Sequence, residues 1–272
     1  MALTITQKEP STAKLVPTES GGGHWYTQSG QSAHVIIGAN GKERNTTVSD
    51  ARKLGLLPSV SGIIGIKSKP ELETWKAEQI IRACIKFPKL DESDEEYARR
   101  IMQEAKKITT EAATHGSLMH EQMEHILLGR EHSKDEKLQP YIKTFKEWAQ
   151  DNVEKTYWCE KALVGAGYAG RCDAYLRLSR FGDTIIDLKN RKVNKTYSPT
   201  YPTDCCQLWA YRNASENPKC ACVSIILASN DPETIVIHKW DEDELHEAGI
   251  AFQAMLKVWA WSKKYVPPGM KL

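Results

Sequence analysis

The sequence lacks the long apolar run that a membrane-spanning helix requires. None of its 272 residues lie in a segment approaching the roughly 18 consecutive apolar residues that cross a bilayer. The N-terminus also lacks the order of basic and then apolar residues that directs export. We therefore expect a protein that does not enter a membrane and that is located in the cytoplasm.

Cysteine pairs of the CxxC type, which most structural zinc and iron–sulfur sites use, are also missing. The chain has seven cysteines, but the closest spacings are the adjacent pair Cys205 and Cys206 and the CxC pair Cys220 and Cys222. An odd number without an export signal argues for reduced thiols and against a disulfide framework. We expect these cysteines to be small buried hydrophobic residues.

Neither sign of charge dominates, since 37 Lys and Arg face 35 Asp and Glu, for a net charge of +2. This balance neither demands nor excludes nucleic acid, because that inference needs a localised basic face. Composition and length fit one large globular domain. We expect a flexible N-terminal arm over residues 1–23 and a single domain over 24–272, in which 24–56 form a small β-hairpin appendage.

Hydrophobic periodicity changes midway along the chain. Apolar residues at helical spacing predict helices over 69–85, 93–128 and 134–154, and a Ser93-x-x-Glu96 capping box opens the second of them. Short β-rich runs with turn residues between them then predict strands over 156–165, 167–178, 183–190, 222–229 and 234–240. Helices are predicted over 205–214 and 241–265. The result is an α/β (α+β) fold with a central mixed sheet flanked by helices and a helix-rich N-terminal half.

The most informative motif is Asp187-Leu188-Lys189, at the end of the apolar run TIID. Alternation along a strand puts Asp187 and Lys189 on one face. Asp173 lies on the preceding predicted strand, so two carboxylates can converge on one divalent ion beside a lysine, and Glu160 offers a further acid. Such an ion lowers the pKa of its water and neutralises charge on a phosphoryl oxygen, as phosphodiester hydrolysis requires. The alternative is an ordinary strand end with a solvated lysine and an ion-paired aspartate.

A second motif lies on the long predicted helix, where Gly116, His120 and Glu124 recur every four residues on one face. His120 can then reach a metal. Gly116 has no side chain, so the sheet or a ligand can approach the same helix face closely one turn earlier. A histidine packed in the core is the alternative. His120 and His125 are five residues apart, roughly 140° out of register on a helix, which excludes the zinc-protease motif with histidines four apart.

A third cluster follows the predicted strands. Gln207 and Tyr211 share a helix face and can contact phosphate or the lysine, although an amphipathic helix explains the same spacing. Arg191, Lys192 and Lys195 form a local basic run that can hold DNA phosphates; the alternative is a solvated loop.

Together these motifs resemble the RecB-like branch of the PD-(D/E)XK nucleases. The motifs are GxxxHxxxE from Gly116, a lone glutamate at Glu160, GxxD from Gly170, DxK from Asp187 and QxxxY from Gln207. The segment LPSVSGII and the following PELETWK also look like the lead-in of phage and mitochondrial exonucleases of that branch. The resemblance spans about residues 57 to 215, and the combination is specific where no single motif is.

The resemblance implies both a fold and a ligand set. The fold would be a restriction-endonuclease-like core. His120, Asp173, Asp187 and the backbone carbonyl of Leu188 would bind Mg²⁺ or Mn²⁺, and Lys189 would position or activate the attacking water. Gln207 and Tyr211 would support the lysine and the DNA strand, and Glu160 would match the additional acid of some members. Relatives with an iron–sulfur cluster have a cysteine trio near the end of the core. Cys84 matches only their first cysteine, so we expect no cluster.

The implied activity is a metal-dependent DNA exonuclease that hydrolyses phosphodiester bonds from single-stranded or duplex ends in phage or bacterial DNA recombination, repair or processing. A phage-encoded enzyme would work in the bacterial host cytoplasm. A flap-type endonuclease and a DNA-binding module without catalysis are the alternatives, because the same site and fold serve all three. A homo-oligomer and a recombination partner protein are further partners that the resemblance leaves open.

Overall fold

The computed structural model describes residues 15–16, 25–68, 70–194 and 199–271. Most of the predicted N-terminal arm therefore lies outside the described residues. Its described part, Leu15–Val16, is strand β1, which pairs antiparallel with Val35–Ile37. The flexible arm stays a prediction.

Short elements follow the arm: β2 (Trp25–Tyr26), β3 (Val35–Ile37), β4 (Glu43–Asn45), α1 (Val48–Leu54) and β5 (Leu57–Pro58). The predicted hairpin corresponds to β3 and β4, which pair antiparallel around a turn containing Gly41 at φ 75°. The helix α1 was not predicted. It begins with a capping box between Thr47 and Asp50.

This N-terminal segment packs into the main core. The ring of Trp25 lies 5.9 Å from that of Trp259 near the C-terminus. The hydroxyl of Tyr265 donates to the carbonyl oxygens of Ala51 at 3.1 Å and Leu56 at 2.7 Å. Buried apolar residues and buried hydrogen bonds thus join the two ends of the described chain.

Four helices come next: α2 (Val60–Ile64), α3 (Pro70–Lys86), α4 (Asp94–Leu127) and α5 (Gln139–Asn152). The predicted capping box of Ser93 and Glu96 is confirmed at the start of α4. The helix α4 continues through Gly116 without a break. The helix α5 begins later than predicted because Pro140 occupies its first turn, and the residue before a proline disfavours helix.

The second half of the chain forms a five-stranded sheet in the order β10-β9-β8-β7-β6. Its elements are β6 (Val153–Gly165), β7 (Tyr168–Leu178), β8 (Gly182–Arg191), α6 (Pro202–Ala214), β9 (Ala221–Ala228), β10 (Ile235–Trp240) and α7 (Glu242–Lys263). Strands β8 and β9 run parallel, with α6 as their crossover, and the other neighbours are antiparallel. The predicted strands and helices of this half are confirmed, with shifted ends.

Helices cover both faces of this sheet. Residues of α1, α2, α6 and α7 contribute to one buried cluster with Ile185, and residues of α4 and α5 contribute to the other with Ile186 and Leu188. The predicted mixed α/β fold class with a central mixed sheet is confirmed. None of the described helices is both long and apolar enough to cross a bilayer.

Candidate metal centre and its lysine

Asp187 lies on β8, the central strand of the sheet, and is 1% exposed. Strand alternation directs Asp187 and Lys189 to one face, as predicted, and Asp187 Oδ1 accepts a hydrogen bond from Lys189 Nζ at 2.6 Å. The second oxygen, Oδ2, is buried and has no hydrogen-bond partner among the described residues. A buried carboxylate oxygen without a partner is costly, so this atom is suited to a ligand.

Asp173 occupies the point where β7 and β8 stop pairing. Their pairing ends with Ala174 opposite Ile186. Beyond this pair, Asp173 Oδ2 accepts a hydrogen bond from the backbone N–H of Leu188 at 2.5 Å. The carboxylate thus replaces a backbone hydrogen bond between the strands. The other oxygen, Oδ1, lies 3.8 Å from His120 Nδ1. Asp173 thus links the DxK strand to α4.

Three half-buried side chains form a candidate metal site: His120, Glu160 and Asp173. One ligand atom of each lies within 4.8 Å of the others. Glu160, expected as an additional acid, is therefore in this cluster. Asp187 is outside the triad, although the charge of Asp173 helps to raise the pKa of Asp187. The predicted ligand set is thus brought together only in part, and the metal-binding role of the Leu188 carbonyl stays a prediction.

The backbone of Glu160 is unusual for a strand. Glu160 has φ 49°, in the left-handed region that favours glycine. It lies on the edge strand β6, between the pairs Cys159–Ala174 and Lys161–Cys172, so it faces Asp173 across the ladder. A non-glycine residue in this conformation costs roughly 1–3 kcal/mol and tends to occur at functional sites.

Electrostatics around these acids favour a cation. Burial, and after it the charge of Asp173, raise the pKa of Glu160 to about 7. Burial also raises the pKa of Asp187, against the opposing charge of Lys189. A divalent ion held by the triad would relieve the repulsion between Glu160 and Asp173. One imidazole nitrogen with carboxylate oxygens suits Mn²⁺, and Mg²⁺ shares the preference for oxygen ligands. The residues therefore fit either ion.

Lys189 is held by a chain of polar contacts. Burial lowers its pKa, but the charges of Asp187 and Asp173 outweigh burial and raise it, so the side chain is an ammonium. Its Nζ also donates to Gln207 Oε1 at 3.4 Å, and Gln207 Nε2 donates to the Tyr211 hydroxyl at 3.3 Å. Of the two targets predicted for Gln207, phosphate or lysine, the structure has the lysine. Tyr211 is 4% exposed, so its predicted contact with DNA stays a prediction.

Gly170 explains why the QxxxY helix can approach the sheet so closely. A Cβ atom at this position would lie 2.9 Å from a ring carbon of Tyr211 and 3.1 Å from Val60. No side chain larger than hydrogen fits without displacing the tyrosine. The glycine of the GxxD motif therefore positions Tyr211. Gly116 is different, because a Cβ there would meet no described atom within 4 Å.

The basic run is only partly available to a ligand. Arg191 makes a two-pronged ion pair with Asp204 at 2.6 and 2.7 Å, and its guanidinium lies 4.6 Å from the Tyr201 ring centre. In this structure Arg191 joins the end of β8 to α6. Lys192 is exposed, and Lys195 lies outside the described residues. The DNA-binding roles of all three stay predictions.

Sequence reasoning did not single out Arg171. Its Nε lies 3.9 Å from Glu160 Oε2, and its charge lowers the pKa of that acid against burial. The signal was present in Gly170-Arg-Cys-Asp173, because residues two apart on a strand share a face. Arg171 is therefore a further charged group beside the triad.

The seven cysteines are all free thiols, and five of them are buried as expected. Burial raises the pKa of Cys205 to about 12, so this thiol is protonated near neutral pH. The one metal-compatible cluster among the described residues contains no cysteine.

No family model matches the sequence, and no curated protein is similar to it.

Proposed function

We propose that this protein is a Mg²⁺- or Mn²⁺-dependent DNA exonuclease of the RecB-like PD-(D/E)XK type, with a restriction-endonuclease-like core. One observation carries the proposal: the cluster of His120, Glu160 and Asp173, within 4.8 Å, adjoins the buried pair of Asp187 and Lys189. A cation site beside a positioned ammonium is what hydrolysis of a phosphodiester requires. The order of the motifs along the chain supports the same class.

The side chains divide the work of hydrolysis. A bound divalent ion supplies positive charge that offsets the negative charge developing on the phosphoryl group. His120, Glu160 and Asp173 would hold this ion. Asp187 Oδ2 has no hydrogen-bond partner among the described residues. Lys189 Nζ keeps its proton because of Asp187 and can donate to a water or a phosphate oxygen. Gln207 fixes the direction of that donor.

DNA as the substrate and an end as the point of attack follow from the family resemblance, since the same site can serve any phosphodiester that reaches it. The role would be in phage or bacterial DNA recombination, repair or processing. A flap-type endonuclease is the alternative activity with the same chemistry.

The test is digestion of end-labelled linear DNA and of covalently closed circular DNA, each with Mg²⁺ or Mn²⁺. We expect degradation of linear DNA alone, lost in Asp187→Ala, in Lys189→Ala and on chelation. Asp183→Asn is the matched control, because Asp183 lies at the other end of β8 and bonds the Tyr157 hydroxyl at 2.8 Å. It should keep activity.

Three other results would change the proposal. Cutting of circles would favour the endonuclease, and activity that survives both substitutions would place the active site elsewhere. Binding without cutting by the wild type would identify a DNA-binding module.

A further inference from the structure

A groove of about 530 Å³ opens beside the sheet. Its walls are the end of α4, the loop after it, α5 and the beginning of β6. Four basic residues line it: Arg130, His132, Lys146 and Lys155. Its size and openness suit an extended polymer segment that passes through it.

Charge in the groove is net positive. The acidic residues that also line it are Glu131 and Glu154. Glu154 is paired with Arg177 at 3.3 Å, and Arg130 is paired with Glu124 at 3.3 Å, which leaves Lys146 and Lys155 against Glu131. Lys146 and Lys155 are both exposed. Basic side chains along an open groove are the usual means of following a phosphate backbone.

His132 also lines the groove, and its side chain is half-buried. Its Nδ1 is enclosed by the protein, so Lys146 and Lys155 are the side chains that can contact a bound phosphate.

The groove and the metal centre lie along the same two elements, α4 and β6. On α4, seven residues separate His120 from Leu127 in the groove wall, which is about 10 Å at 1.5 Å per residue. On β6, Glu160 is four residues from Thr156, which is about 13 Å. Arg130 lies between the two, since its Nη1 is 3.3 Å from Glu124, one turn beyond His120.

We propose that this groove binds the backbone phosphates of a single-stranded DNA segment that extends from the metal centre. The inference rests on the proposed function and adds to it a subsite for phosphates at least one nucleotide away from the bond that is cut. Lys146 and Lys155 are the phosphate contacts, and Arg130 lies at the entrance nearest to His120.

The experiment measures fluorescence anisotropy of labelled single-stranded oligonucleotides of increasing length, with a chelator present so that nothing is cut. The protein is the full chain, wild type and Lys146→Glu/Lys155→Glu. We expect about a tenfold or greater loss of affinity for long oligonucleotides and a salt dependence lower by about 0.7 per lost phosphate contact. Dinucleotides, too short to reach the groove, should bind wild type and variant equally.

Lys257→Glu/Lys263→Glu is the control for net charge, because it changes the charge by the same amount and both lysines are exposed on α7, which packs on the other face of the sheet. It should leave the salt dependence unchanged. The inference is overturned if the double variant binds long oligonucleotides like the wild type, if dinucleotides lose as much affinity, or if only duplex binding falls. In each of these cases metal-dependent cutting by the wild type would leave the proposed function standing. A wild type that neither binds nor cuts DNA would remove both.

Discussion

The strands β8 and β6 both carry acidic residues of the candidate site, and they differ in regularity. The central strand β8 pairs with β7 and β9, and Asp187 on it is almost fully buried. The edge strand β6 is interrupted by register shifts between Val153 and Lys155 and between Thr156 and Trp158. The backbone of Glu160 on this strand has a left-handed conformation. A paired strand fixes its side chains by alternation, whereas a bulged edge strand can turn one toward a ligand.

This contrast predicts a hierarchy of roles. Groups on β8 are fixed by the sheet and held by hydrogen bonds, as the contacts of Lys189 with Asp187 and Gln207 show. Glu160 reaches its position through a strained backbone and has Arg171 near it at 3.9 Å. We expect β8 to supply the chemistry and β6 to tune the binding of the ion.

The largest effect should come from Lys189→Met. We expect this substitution to lower kcat by about 10²–10⁴-fold, the usual range for a positioned proton donor or acceptor.

Glu160→Gln should lower activity by about 10–100-fold and regain part of it at higher Mn²⁺ concentration, because it weakens metal affinity. Steady-state cleavage of labelled DNA over a Mn²⁺ titration measures both.

Lys239→Met, on the outer strand β10, is the control and should cut at the wild-type rate. The proposed hierarchy fails if Glu160→Gln is as slow as Lys189→Met at saturating metal.

A second prediction concerns the stability of β8. With a chelator present, Asp187→Leu/Lys189→Met should unfold in urea with a free energy about 1–4 kcal/mol above wild type, because it replaces a buried ion pair and an unpartnered oxygen with apolar groups. Lys189→Met alone should be less stable than wild type, since it leaves a buried carboxylate unpaired. A double variant less stable than wild type would contradict the view that Asp187 is retained for a ligand.

The same contrast explains what the sequence could predict. Alternation in TIIDLK sufficed to put Asp187 and Lys189 together, and the Ser93 and Glu96 capping box located the start of α4. Both patterns depend only on local geometry that any regular strand or helix shares. The mixed sheet followed from the order of such elements.

The irregular part of the site had no local signal of this kind. The positive φ of Glu160 and the separation of β7 from β8 at Ala174 depend on contacts between strands, which residue patterns do not encode. The triad of His120, Glu160 and Asp173 therefore differs from the ligand set expected from the motifs. The basic groove lacked a sequence signal as well, because Arg130 and Lys155 come from separate elements.

A smaller effect should appear in the pH dependence of stability without metal. The pKa of Glu160 is raised from 4.5 to about 7, so protonation favours the folded state. This contribution is fully present below about pH 4.5 and is lost as pH rises through about 7, a change on the order of 1–2 kcal/mol after solvent screening. Urea unfolding with a chelator present, from pH 4.5 to 7.5, measures it. Glu160→Gln should lose this component of the slope, and Glu154→Gln, on the same strand, should keep it.

The smallest predicted effect tests whether the hydrogen bonds that hold Lys189 extend through Gln207 to Tyr211. Tyr211→Phe removes the hydroxyl that accepts a hydrogen bond from Gln207 at 3.3 Å, and it leaves the ring that packs on Gly170. One neutral hydrogen bond contributes about 0.5–1.5 kcal/mol to stability, so the free energy of unfolding should fall by about that amount and kcat by at most roughly two- to tenfold. Gln207→Leu should cost more, because it also removes the contact with Lys189. If Tyr211→Phe is slower than Gln207→Leu, the tyrosine contacts the DNA itself, and the central strand is then not the only source of the chemistry.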